Sequence, residues 1–494
     1  MNARRDSLKI LLFALNGSYT HTNLAIRCLR ESLERDGFEV QLLERNLRDR
    51  TSHILQDLVS AQADVVGFST YIWNVRPMLE LARDLKTLCP HIKVIFGGPE
   101  VSYDVERFDG EEYAFMDVIV CGEGEMALPA LCRDLRNGVP VPRIRHGTNG
   151  CHTEMPQTGI LYRENDFPDG SMLYYESSRG CPYACAYCLS SAEKSIRQKN
   201  LSQVLEDLDA FEKLPNHIRI IKFVDRTFNF KQDRANAIWR ALLEEKYTRH
   251  YHFEICASLL NEESFEILQK FPKGKIQLEI GLQSTYVPTL QAVSRHIDPQ
   301  NVLEKVRRIH DMGNIHVHLD LIAGLPYEGY TRFTQSFDEA YPCCDLLQLG
   351  FLKLLHGTEL RRRAEEYGYR YMHEAPYTVL QSNWLSYEEM SSLNSIAEIL
   401  ERYRESGKFD RCLSVVLDGS RSPFRFYEGL CHFIDANDGR HIQKISQVDA
   451  YRLLYEYAAT QLDATGLERF SAEMHLDFSS GEVRKAPAFL QKRK

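Results

Sequence analysis

The stretch S-S-R-G-C-P-Y-A-C-A-Y-C, residues 177–188, follows directly on the apolar run M-L-Y-Y-E at 172–176, which reads as a β-strand. It carries three cysteines, Cys181, Cys185 and Cys188, spaced four and three apart. A loop wrapped around a compact centre can turn all three sulfurs toward it. Structural zinc takes four ligands, usually as two separated pairs, and no second C-x-x-C follows downstream, so zinc is disfavoured. A cubane iron–sulfur cluster held by three thiolates leaves one iron open, and an open iron can chelate a further ligand.

Working outward, five more strand-like runs follow the first: R-I-I-K-F-V-D (219–225), Y-H-F-E-I-C-A (251–257), I-Q-L-E-I-G-L (276–282), V-H-L-D-L-I-A-G (317–324) and L-L-Q-L-G-F-L-K (346–353). Helix-length segments separate most of them. Six such units predict a partial or full barrel of parallel strands over 171–370, with its active site at the strands' carboxyl ends. Upstream, K-I-L-L-F-A-L (9–15), A-D-V-V-G-F-S (63–69), K-V-I-F-G-G-P-E (93–100) and D-V-I-V-C-G-E-G-E (117–125) alternate with amphipathic segments. Near-continuous apolar strands of this kind predict a doubly wound parallel sheet over 1–140, whose ligands bind at the carboxyl ends of the strands. The loops there, N-G-S-Y-T-H (16–21), S-T-Y-I-W-N (69–74), G-G-P-E (97–100) and G-E-G-E (122–125), are rich in glycine and small residues. Residues 141–170 carry turn dipeptides without periodicity and read as a linker. From 371 to 494 the chain reads as helical: Ser386 and Glu389 form a capping box, Leu385 and Met390 a hydrophobic staple, and Leu393, Ile396, Leu400 and Tyr403 one apolar face.

With 494 residues, 44% hydrophobic and 26% charged, the chain is expected to fold as several α/β and α domains with ordinary cores. Sixty basic against 69 acidic residues give a formal charge of -9, which offers no overall attraction for nucleic acid or an anionic membrane. The apolar run Ile10–Leu15 is short for a signal peptide and reads as a first buried strand. No run reaches the roughly 18 apolar residues that span a bilayer, so a cytoplasmic protein is expected. Thirteen cysteines, scattered apart from the triplet and Cys343–Cys344, do not form a disulfide framework.

The C-x-x-x-C-x-x-C spacing, with the aromatic Tyr187 before its last cysteine, resembles the radical S-adenosylmethionine enzymes. The resemblance spans about 170–360. It implies a [4Fe-4S] cluster on Cys181, Cys185 and Cys188 whose open iron takes the amino and carboxylate groups of S-adenosylmethionine, and reductive cleavage to a 5'-deoxyadenosyl radical. It further implies cofactor contacts at Tyr175, six residues before the first cysteine, at Tyr187 near the adenine, and at Asp225 in F-V-D-R-T-F-N. Glu254, Gln283, Arg295 and Asp320 look like the methionine and ribose contacts of the oxygen-independent coproporphyrinogen oxidase branch. Each of these residues also admits a plain strand-end salt bridge.

A doubly wound domain ahead of such a barrel is similar to the cobalamin-binding radical enzymes. This implies cobalamin contacts at Asn16, His21, Tyr71, Trp73, Gly97, Gly98, Glu100, Gly122 and Gly124. The chain lacks the D-x-H-x-x-G signature that gives cobalt a histidine, so the resemblance implies binding without that ligand. The layout with an added helical carboxyl-terminal domain resembles a subgroup for which a cofactor set, and no substrate, is implied.

The leading expectation is a methyltransferase acting on an unactivated carbon of a small molecule, served by an electron donor such as flavodoxin or ferredoxin, with no membrane or nucleic-acid partner. Cobalamin-assisted rearrangement or cyclisation is a close alternative. A transfer-RNA methylthiotransferase would need a second cluster from among Cys28, Cys89, Cys121, Cys132 and Cys151 and a basic carboxyl-terminal β-barrel. A non-catalytic cobalamin sensor is the third reading. His252, His316, His318 and Cys256 lie on barrel strands, where structural roles compete with chemical ones.

Overall fold

Two parallel six-stranded sheets follow one another along the chain in the computed structural model, which describes residues 8–147, 155, 161–167, 172–192, 195–418 and 420–481. Cys151, most of the turn-rich middle of the 141–170 segment and the tail Q-K-R-K lie outside the described residues.

The first sheet contains β1 (Lys9–Asn16), β2 (Glu39–Asn46), β3 (Val65–Ser69), β4 (Lys93–Gly97), β5 (Val118–Cys121) and β6 (Ile144–His146), in the order β2-β1-β3-β4-β5-β6. The order reverses between β1 and β3, which opens a crevice at their carboxyl ends. The sheet is buried on both faces. Leu11, Phe13, Phe68 and Phe96 pack against helices Thr51–Ser60 and Val75–Leu88. Ile10, Leu12, Ile95 and Val120 pack against Leu24–Arg35 and Gly124–Arg136. Strands β2 and β6 were not among the expected ones. Edge strand β2 is only half-buried, and β6 is three residues long inside the segment read as linker.

The second sheet holds β7 (Leu173–Tyr175), β10 (Ile220–Phe223), β11 (His250–Ile255), β12 (Ile276–Gln283), β13 (His316–Ala323) and β14 (Leu346–Phe351). They pair in sequence order, all parallel, as an open barrel of six strands. Alternation decides what faces inward. In β12, Ile276, Leu278, Ile280 and Leu282 are buried toward the outer layer, while Gln277, Glu279, Gly281 and Gln283 are less buried. Between β7 and β10 a short antiparallel pair, β8 (Ser178–Arg179) with β9 (Arg197–Gln198), forms the base from which the cysteine loop projects. Gly180 closes that base with φ +95°; a Cβ there would run into the carbonyl oxygen of Ser195.

After a small antiparallel pair, β15 (Arg370–Tyr371) with β16 (Val379–Gln381), the chain is helical to Gly481. Ser386 and Glu389 form the expected capping box, and Leu385, Met390, Leu393, Ile396, Leu400 and Tyr403 are all buried. These helices share one continuous core with the barrel. Phe337, between β13 and β14, meets Tyr341 at 5.6 Å and Phe424 at 5.4 Å between ring centroids, and the hydroxyls of Tyr341 and Tyr427 lie 2.6 Å apart. Among the described residues no helix is long and apolar enough to cross a membrane.

Because Phe337 is fully buried at this junction, Phe337→Ala is expected to cost about 3–5 kcal/mol in the urea transition that unfolds the barrel. A loss below about 1 kcal/mol, or separate unfolding of the barrel and the carboxyl-terminal helices as followed by their own probes, would mean that the two have separate cores.

Candidate functional site

The cysteine loop is pinned by backbone on both sides. Ala186 N–H donates to Val293 O at 2.9 Å, and Leu360 N–H donates to Ala186 O at 2.9 Å. Cys185 is buried, while Cys181 and Cys188 are half-buried. Burial pushes the Cys181 thiol above its ordinary value; the Thr227 hydroxyl, 3.5 Å from its sulfur, opposes that shift and the other two thiols add to it. The three thiols are thus electrostatic neighbours on one short loop, as ligands of one shared centre must be.

Beside Cys185 lie Gln283 and Arg295. Arg295 donates from Nη2 to Gly281 O and from Nη1 to Cys185 Sγ at 3.7 Å. Gln283 ends β12 at a bulge with φ +72°, a conformation rare for a non-glycine and a frequent mark of functional sites. Its amide folds into the space that a Cβ on Gly281 would fill. Gln283 Oε1 and Arg295 Nε are buried without hydrogen-bond partners. An acceptor and a donor left unmatched beside the cysteine loop fit the zwitterionic end of S-adenosylmethionine. Tyr187 adjoins Cys185, Cys188 and Arg295, and burial pushes its phenol up.

Two of the expected contacts have other positions. Tyr175 points away from the loop: its hydroxyl donates to Asp207 Oδ2 at 2.6 Å, and its ring packs on Phe211 and Phe223. Neighbouring strand residues face opposite ways, so it is Tyr174 that reaches the cavity described below. Asp225 is fully buried and accepts from Ser177 N (3.0 Å), Ser177 Oγ (2.8 Å) and Ser178 Oγ. It shapes the entry to the cysteine loop and is closed to a cofactor.

Glu254 and Asp320 face the barrel interior with groups that the sequence left unassigned. Glu279 Oε2 lies 2.9 Å from both Lys222 Nζ and His252 Nε2, and His318 Nε2 lies 3.0 Å from Asp320 Oδ1. Burial opposes ionisation of Glu279, but His252 and Lys222 outweigh it and bring its carboxyl down to about 2. Burial raises the Asp320 carboxyl despite His318, and it raises Glu254 despite Arg226. Cys256, at the end of β11, accepts from the Tyr183 hydroxyl at 3.3 Å.

Above these groups a cavity of about 1020 Å³ lies between the strand ends of the first sheet and the cysteine loop. Asn16 and His21 line it from the first expected loop, Tyr71 and Trp73 from the second, Gly97 and Gly98 from the third, and Gly122 and Gly124 from the fourth. Tyr71 and Trp73 stack at 4.4 Å, with Trp73 still 52% exposed. Gly98 packs so tightly on Thr70 that a Cβ would overlap its carbonyl oxygen. A broad cavity with small residues on its floor fits a corrin ring. Burial and the charge of Lys222 hold the His21 imidazole below its ordinary value. Glu100, also expected here, turns away to accept from the Tyr377 hydroxyl and belongs to a contact with the chain after the barrel, where Arg107 reaches Glu374 at 3.0 Å.

The cavity's far wall is built from the cysteine hairpin itself. Arg179, two residues before Cys181, donates to Glu176 and to Glu125 at 2.7 Å each and lies 3.4 Å from Glu123. Arg197, opposite it across the β8–β9 pair, donates to Glu123 Oε2 at 3.0 Å. The G-E-G-E loop therefore supplies glycines to the cavity and glutamates to the base of the cysteine loop.

Asp225→Ala would leave three donors at that base without an acceptor, at a cost of roughly 1–3 kcal/mol each. Protein carrying it is expected to retain far fewer than about four irons per chain after reconstitution. Wild-type iron content with this variant would contradict the role.

Comparisons with known proteins agree with these two halves. Residues 11–132 match the family described as B12 binding domain, 175–340 the Radical SAM superfamily, and 365–494 a family described as protein of unknown function (DUF4080). The cobalamin-dependent radical SAM methyltransferase TokK of Streptomyces tokunonensis is 25% identical over 422 residues, 75% of this chain and 61% of that protein. The 2-(S-pantetheinyl)-carbapenam-3-carboxylate methyltransferase of Streptantibioticus cattleyicolor is 26% identical over 304 residues, 55% of this chain and 44% of that one. The chain thus covers less than two thirds of either relative's length. The cobalamin-dependent S-adenosylmethionine radical enzyme OxsB, solved with aqua-cobalamin and S-adenosylmethionine, shares the fold with a TM-score of 0.65 over 98% of this chain and 82% of that one, at 13% identity. The strand-end cavity and the cysteine hairpin fall within these two matches: the chain carries a B12-binding domain ahead of a Radical SAM domain.

Proposed function

We propose that the protein is a cobalamin-dependent radical S-adenosylmethionine methyltransferase that methylates an unactivated carbon of a small molecule. The observation that carries this reading is the shared cavity. One wall is the glycine-lined strand ends of the first sheet, and the other is the hairpin that bears Cys181, Cys185 and Cys188. When bound, the reduced cluster would supply the electron that cleaves S-adenosylmethionine to a 5'-deoxyadenosyl radical, and methylcobalamin would supply the methyl group.

The chain's own residues hold and orient. The three cysteines would ligate the cluster; Gln283 and Arg295, with their unmatched polar atoms, would take the methionine carboxylate and amino end; and Glu254 and Asp320 would face the ribose from the barrel wall. Arg179, tied to Glu123, Glu125 and Glu176, fixes the distance between the two walls. A flavodoxin or ferredoxin would deliver the electron. A reducing, cytoplasmic setting suits the twelve described cysteines, which are all unpaired.

The methylthiotransferase reading loses support. Cys28 and Cys132 are buried within helices, where they are closed to a shared cluster. The carboxyl-terminal region is helical, where that reading needs a β-barrel.

The test is anaerobic reconstitution with iron, sulfide and cobalamin, then incubation with methyl-labelled S-adenosylmethionine and a small-molecule extract. A labelled product together with 5'-deoxyadenosine is expected. 5'-Deoxyadenosine without transferred label would favour rearrangement or cyclisation, and neither product would favour the sensor. Alanine at any one of Cys181, Cys185 or Cys188 is expected to lower 5'-deoxyadenosine formation by about a thousandfold or more, because the radical-forming step, not its positioning, is removed.

A further inference from the structure

The charges on the cavity wall balance except at one place. Glu123, Glu125 and Glu176 are all engaged by Arg179 or Arg197. Arg226 also lines the cavity, and among the described residues its guanidinium makes no hydrogen bond or ion pair. It remains exposed although both neighbours in sequence, Asp225 and Thr227, are buried. Its five donors are thus open to the cavity and unmatched by any carboxylate among the described residues, so an anionic ligand would complete them.

We propose that Arg226 is the specificity residue of the substrate site and that the substrate carries an anionic oxygen group, a carboxylate or a phosphate, bound by this guanidinium. The inference rests on the methyltransferase reading above and names the substrate class of that site. Position separates this anion from those of the cofactors. Arg226 follows β10, on the barrel side of the cavity, and its neighbour Thr227 touches Cys181 at 3.5 Å; the corrin floor is on the opposite side, at Gly97, Gly98, Gly122 and Gly124. The S-adenosylmethionine carboxylate has its own unmatched donor at Arg295, beside Cys185. Across the barrel wall Glu254 feels the charge of Arg226 without pairing with it. An anion held by Arg226 would therefore sit beside the cluster loop and facing the corrin, where the reacting carbon must lie.

The experiment uses protein reconstituted with the cluster, cob(II)alamin and S-adenosylmethionine. Two probes, ¹³C-carboxyl succinate and inorganic phosphate observed by ³¹P, are titrated separately, and paramagnetic relaxation of the probe nucleus by cob(II)alamin is read. At least one probe is expected to relax on binding, and which one does decides between carboxylate and phosphate. Arg226→Gln should weaken that binding by about tenfold or more, the factor that a lost charge-assisted hydrogen bond carries, with Arg226→Lys intermediate. No relaxation of either probe, or equal relaxation in Arg226→Gln, overturns the proposal. So does a parallel loss of S-adenosylmethionine affinity in Arg226→Gln, which would assign the arginine to the cofactor. None of these readings requires methyl transfer, so failure of the methyltransferase assignment is seen separately, in the absence of labelled product.

Discussion

The guanidinium of Arg179 is the constraint on which the site depends. It is 17% exposed, stands two residues before the first cysteine, and meets carboxylates from two domains. Glu176 leads out of the barrel's first strand, whereas Glu123 and Glu125 come from the turn after β5 and the first turn of the helix Gly124–Arg136 in the first domain. A largely buried cation is tolerated only with well-placed partners, and removing one partner of such a pair typically costs about 3–5 kcal/mol. The two sheets are therefore coupled where the chemistry must occur, by an interaction that is costly to break in part. Arg197 repeats the arrangement on the paired strand, so both legs of the cysteine hairpin are anchored to the same loop.

The rest follows from strand alternation. Each parallel strand of the barrel turns one set of residues outward to helices and the other inward, and the inward set here is polar: Lys222, His252, Glu254, Glu279, His318 and Asp320. Lys222 and His252 meet Glu279 across strands, and His318 meets Asp320 along its own strand. The helical carboxyl-terminal region shares the barrel's core, so it acts as structural support for the open barrel rather than as a separate appendage. A second contact, from Glu100 and Arg107 to Tyr377 and Glu374, joins the first sheet to the chain after the barrel.

How much of this the sequence revealed depended on how local each signal was. All six barrel strands were legible because an apolar period of two needs only its own neighbours to be read. The glycine loops of the first sheet were legible for the same reason, and eight of nine residues chosen from them line the cavity. Tyr175 was misplaced by one residue, and one residue is a full reversal of face in a strand. Glu100, Glu123 and Glu125 were obscure for another reason. Their partners are Tyr377, Arg197 and Arg179, at separations of 277, 74 and 54 residues, and no local pattern encodes them. Asp225 was found by motif, but its role was hidden because the serines it holds precede it by nearly fifty residues.

Cobalamin at the strand ends and a cluster on Cys181, Cys185 and Cys188 would face each other across the Arg179 contact, with Ser178, Arg179 and Gly180 as the wall between them. Electron paramagnetic resonance of reduced protein holding both cob(II)alamin and the [4Fe-4S]⁺ cluster tests this placement most directly. The account predicts a spin-coupled spectrum whose splitting is absent from samples loaded with only one of the two. A spectrum equal to the simple sum of the separate signals would place the two centres apart and contradict it.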